Sequence, residues 1–177
     1  PNLRARFFGV KWLWKTLQSG FQEVQHSEDT KTLVNLRQCG PVFDVLSSNR
    51  GHDLYLQHAC VMALTQINDL AELVESAGNE NTFIRMGAVL ALRRMKRQEI
   101  SVFLRDTDHA IAAEAARAIN DVPIEGAQQQ LAQLIQRVNL PAAALKRSIN
   151  AQYRLGNTEN AAYLISFAQD KNANEFL

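Results

Sequence analysis

The sequence has almost no excess of either charge: 19 Lys and Arg stand against 18 Asp and Glu, a formal net charge of +1 over 177 residues. So balanced a surface offers nucleic acid or an anionic membrane no strong overall field. No apolar run approaches the ~18 residues that a membrane-spanning helix requires, so membrane insertion is not expected. Cysteine is scarce: Cys39 and Cys60 are the whole complement, and they form no CxxC. Their simplest reading is two small buried hydrophobes, with a disulfide left open because spacing alone does not establish one. HExxH, GxSxG, a glycine-rich phosphate loop and CxxCH are all missing, so no catalytic residue, metal or cofactor is expected. No alternating pattern of a strand competes anywhere. The composition is that of an ordinary folded protein, 46% hydrophobic and 21% charged, which excludes disordered and collagen-like classes. The length suits one domain, 1–177, with room for a substantial core. The chain opens PNLRARFF and stops at NEFL, as expected of a piece cut from something longer.

What is present is a repeat. YLQHACVMAL (55–64), FIRMGAVLAL (83–92) and AIAAEAARAI (110–119) start 28 and 27 residues apart. Leu56, Ala59, Cys60, Ala63, Leu64 and Ile67 in the first correspond to Ile84, Gly87, Ala88, Ala91, Leu92 and Met95 in the second. The third supplies Ile111, Ala115, Ala118, Ile119 and Val122, with Glu114 interrupting. Such offsets trace one stripe on an α-helix, and the small residues in it allow close approach by a neighbouring helix. Asp53, Asn81 and Asp108 each stand two residues before a block, where a side-chain oxygen can accept the first unpaired amide protons of a helix. Cap and stripe recurring together predict stacked helical hairpins, each burying its apolar face against the next.

Shorter apolar segments read as the second helices of these hairpins: DLAELVESA (69–77), EISVFLRD (99–106) and AQQQLAQLIQRV (127–138). LVNLRQCGPVFDVL (33–46) aligns with 62–74 at a shift of 28, pairing Leu36 with Leu64, Val42 with Leu70 and Val45 with Leu73. LKRSINAQYRLGNTENAAYLISFAQD (145–170) is a final hairpin whose first helix starts near Pro141, a residue suited to a first helical turn. LRARFFGVKWLWKTL (3–17) predicts an opening helix with Leu3, Phe7, Val10, Trp14 and Leu17 on one side, followed by a polar, irregular joint over 18–30. The organisation expected is thus an irregular unit over 1–30 and regular repeats over 31–177. The fold class expected is all-α, a right-handed α-solenoid of about five to six hairpins.

Few residues stand out as candidate sites. His26, His52, His58 and His109 show no metal-ligand spacing. Glu114 is the one charge on the repeated stripe and needs a partner, for which Arg117 or a backbone amide is a candidate. Arg93, Arg94, Lys96 and Arg97, with Arg85 earlier, close one first helix. Cations are favoured there by the helix dipole. The rival reading, a phosphate-binding patch, predicts basic residues at matching places in other repeats, yet those are Thr65, Gln66, Asn120 and Asp121. That argues against nucleic acid. Phe8 and Trp12, four apart on the opening helix, face away from its apolar side and can anchor a partner.

The repeat length, with Ala and Leu in the first helix, resembles HEAT repeats, including the lyase-associated subtype. NLRARFF (2–8), DLYLQHACVMAL (53–64), EAARAINDVPI (114–124) and INAQYRLGNTENA (149–161) resemble the helical region of large bacterial membrane-bound dehydrogenase-like proteins. Those proteins join a sorbosone-dehydrogenase-like β-propeller to HEAT repeats and a c-type haem module with a CxxCH site. The similarity covers residues 2–8 and 50–170, whereas 9–49 match less well. It implies a periplasmic or cell-envelope setting and redox chemistry carried by other parts of the parent. The function expected is a non-catalytic scaffold for other domains of that parent or for a protein partner, with Phe8, Trp12, Arg93, Arg94 and Arg97 as interaction residues. The alternative is a HEAT-like lyase or nucleic-acid-binding module with a concave ligand site.

Overall fold

The computed structural model describes residues 8–10, 38–137 and 140–170. Among the described residues every regular element is helical and no strand occurs, so the all-α expectation holds. The chain forms two compact units, one ending at Met95 and the other starting at Lys96. The first contains α1 (Gly40–Asn49), α2 (Leu54–Ile67), α3 (Leu70–Glu75) continued by a 3-10 turn (Ser76–Gly78), and α4 (Thr82–Arg94). The second contains a 3-10 helix (Gln98–Arg105) and α5 (His109–Asp121). A 3-10 turn (Glu125–Ala127), α6 (Gln128–Gln133) and another 3-10 turn (Leu134–Gln136) follow, then α7 (Ala142–Leu155) and α8 (Thr158–Gln169).

The predicted caps are in place. Asp53 Oδ1 accepts from the amides of Tyr55 and Leu56 at 2.9 and 3.0 Å. Asn81 Oδ1 accepts from Phe83 at 2.9 Å and Asp108 Oδ1 from Ala110 at 2.8 Å. Each removes an unpaired donor at a helix start. α1, α2 and α7 close on left-handed residues, Arg50, Asn68 and Gly156, the conformation that stops a helix while returning an amide to its last carbonyls.

Behind each cap the stripe is buried at the same offsets. Leu56, Cys60, Ala63 and Leu64 have no exposed surface; Ala88, Ala91 and Leu92, and then Ala115, Ala118 and Ile119, repeat the pattern. Each fully buried Leu or Ile contributes ~1.5–3 kcal/mol by leaving water. In the first unit α1, α2 and α4 each pack against the other two. Gly87 marks the closest approach: a Cβ there would lie 2.5 Å from Leu46 Cδ1. In the second unit α7 packs on α5, α6 and α8, and α5 on the 3-10 helix.

The segment EISVFLRD (99–106), expected as a second helix, is helical in the 3-10 form: Gln98–Arg105 make an eight-residue 3-10 helix and Asp106 caps it. It is confined between left-handed Lys96 (φ 53°) and the Asp106 carboxylate, which accepts from the Asp108 amide. Its Ile, Ser and Val are weak α formers, and 3-10 winding puts Ile100 and Phe103 on one face, both fully buried. Within α1, Val42 and Leu46 are buried and Val45 is half-buried. Pro41 stands in its first turn, where a missing N–H costs no helical hydrogen bond.

Candidate functional site

In the second unit the 3-10 helix, α6 and α8 border a groove of about 760 Å³. α6 carries a run of glutamines used in two ways. Gln128 turns inward, 8% exposed, and its Nε2 donates to the Ile119 carbonyl at 2.8 Å. Gln129, Gln130 and Gln133 lie on the opposite side, exposed, and with Gln136 they line the groove. The split follows from helical period: Leu131, Leu134 and Ile135 take the core side, leaving the amides outward. Arg105 ends the 3-10 helix and Arg137 follows the turn after α6; both are exposed and line the groove. Neither guanidinium forms a hydrogen bond or ion pair among the described residues. α8 contributes Glu159 and Tyr163, whose Oη donates a long hydrogen bond of 3.5 Å to Glu159 Oε1. Val102, 42% exposed, adds an apolar edge. The arrangement presents hydrogen-bond donors, acceptors and two available cations.

The second unit is also held by buried polar contacts. Ser148 Oγ and Gln152 Nε2 both donate to the Ala132 carbonyl, at 2.9 and 3.0 Å. Asn160 Nδ2 donates to Gln152 Oε1, joining α8 to α7. All three side chains are essentially inaccessible.

The residues singled out from sequence fall elsewhere. Arg93 is half-buried and Arg94 exposed in the last turn of α4. Arg97 belongs to the other unit and lies 3.7 Å from Glu99 Oε2. Arg85 is no part of a surface patch. It is 7% exposed, and its guanidinium donates to the Asn79 and Glu80 carbonyls at 2.7 and 3.2 Å, clasping the turn before α4. Phe8 is 57% exposed and Val10 5% exposed, which puts them on opposite sides of their helical segment. Trp12 and His26 lie outside the described residues. Glu114 meets Arg117 on its own helix at 3.3 Å. His52, His58 and His109 are exposed, and among the described residues no group of three His, Cys, Asp or Glu could hold a metal.

Cys39 and Cys60 are free, buried thiols. Burial pushes both up to about 12, with Glu72 adding to the effect at Cys39. At neutral pH such thiols stay protonated, the form that is the weak nucleophile. The groove itself escaped sequence reading because three separate elements form it; the outward spacing of Gln129, Gln130, Gln133 and Gln136 was the available signal.

No protein-family model matches this chain, no curated protein matches it, and no solved structure matches it.

Proposed function

We propose that this chain is a HEAT-type α-solenoid segment serving as a non-catalytic scaffold for neighbouring domains or a protein partner. One observation carries the reading: the capped, striped first helix recurs three times and hides the same offsets each time. Units that bury themselves only against their neighbours produce extended surfaces for binding. The sequence resemblance adds the setting, an exported haem-linked dehydrogenase-like protein with its redox centre in another part of the chain. The exposed Phe8 supports docking through the opening helix.

Small-angle scattering tests the architecture. A solenoid has a radius of gyration well above the ~16 Å of an equally long compact chain, and a value at that figure overturns it. Co-elution with the adjoining segments of the gene product, made separately, tests the scaffold role. Replacing Phe8 and Trp12 with Ser is expected to leave the melting temperature nearly unchanged and to abolish co-elution. Adjoining sequence without a CxxCH would remove the dehydrogenase setting.

A further inference from the structure

We propose that the groove of the second unit binds an extended polypeptide segment carrying acidic side chains. The proposal rests on the scaffold reading and names its surface and partner chemistry. Four glutamines, Gln129, Gln130, Gln133 and Gln136, line the groove. Each carboxamide offers both a donor and an acceptor. An extended main chain, whose N–H and C=O alternate, uses both. A phosphate backbone offers acceptors alone and would use only the donor half of each carboxamide. Its affinity would also need a series of cations, whereas this groove has Arg105 and Arg137 against Glu159.

Those two arginines carry the specificity. Both are exposed and without an ion pair among the described residues, and a guanidinium fork matches a carboxylate with two parallel hydrogen bonds. Glu159 repels a uniformly anionic ligand and so favours a segment in which acidic residues are interspersed with neutral ones. Val102 and the ring of Tyr163 supply contact for apolar side chains between them.

The test is fluorescence anisotropy on the whole chain, with a short fluorescein-labelled peptide alternating glutamate with serine and leucine. The comparison probes are the same peptide with glutamine for glutamate, and an oligothymidylate of equal charge. The acidic peptide is expected to bind at least about tenfold tighter than either. Arg105→Ala with Arg137→Ala should remove that preference, and should leave the circular-dichroism melt unchanged because both side chains are exposed. Gln130→Ala with Gln133→Ala should weaken both peptides alike, and the side-chain amide signals of these glutamines should shift on titration. Failure of the acidic peptide to bind, equal binding by the arginine variant, or tighter binding of the oligothymidylate overturns the proposal. If the peptide fails while the adjoining segments still co-elute, only the groove assignment falls; if co-elution fails, the scaffold reading falls by itself.

Discussion

The two units close their interiors by different means. In the first, the tightest contact between helices is steric: α4 brings Gly87 against Leu46, while the buried Asn49, Ser76 and Arg85 bond to backbone within six residues of themselves. In the second, the last two helices are fastened by amides and a hydroxyl, with Ser148, Gln152 and Asn160 buried at 0–1% exposure. Dispersion contacts depend on close fit and weaken steeply once a gap of about 0.5–1 Å opens, whereas a buried polar group deprived of its partner carries its full desolvation penalty. The first unit should therefore be sensitive to volume and the second to chemistry at constant volume.

The strongest way to break that contrast is Gln152→Ala. It leaves a cavity, frees the Asn160 amide and removes one of two donors from Ala132, and should cost about 2–4 kcal/mol by chemical denaturation. If Gln152→Leu is as stable as the unaltered chain, the hydrogen-bonded closure is dispensable. Gly87→Val should cost about 2 kcal/mol by overpacking against Leu46. Leu46→Ala should relieve part of that cost, so the double variant is more stable than the two losses add to. Thiol labelling then separates the units, since Cys39 and Cys60 both lie in the first. Gly87→Val should accelerate labelling by Ellman's reagent, and Gln152→Ala should not; equal acceleration would mean the units open together.

Smaller effects sharpen the comparison. Asp53→Ala and Asp108→Ala should each cost about 1 kcal/mol. Asp53 should cost more, because it accepts two amides and Asp108 one. The least effect is expected at Asp121. The Asn120 amide first, then the guanidinium groups of Arg147 and Arg117, hold its carboxyl below the usual carboxylate range. A lowered folded value means its contribution is present above about pH 4 and fades as pH falls through that value. The side chain is 41% exposed, so solvent screening limits Asp121→Asn to under about 0.5 kcal/mol at neutral pH. A pH titration of stability comparing the two proteins checks it: the difference should vanish in acid.

What was legible in the sequence was local. Caps at Asp53, Asn81 and Asp108 act over two or three residues, and the apolar stripes follow the 3.6-residue period. Glu114 stood out as a charge on such a stripe, and Arg117 satisfies it from one turn away. The winding of 98–105 was not legible, because the span between its fixed ends decides it more than its composition. Nothing local marks Gln152 and Asn160 as buried, because each finds its partner on a different helix. Likewise the groove depends on three elements separated along the chain.

The tight winding of Gln98–Arg105 has a consequence for the spacing of the repeat. From Asp53 to Asn81 is 28 residues, and from Asn81 to Asp108 is 27. The missing residue is found in the second element: α3 with its 3-10 turn has six and three residues, while the corresponding 3-10 helix has eight. An α-helix advances ~1.5 Å per residue and a 3-10 helix ~2.0 Å, so the two run about 15 and about 16 Å. Pitch thus makes up for a lost residue, the shorter segment covering about the same span. A segment of this kind can lose a codon and keep its length, so the elements between one capped helix and the next are where length variation should accumulate.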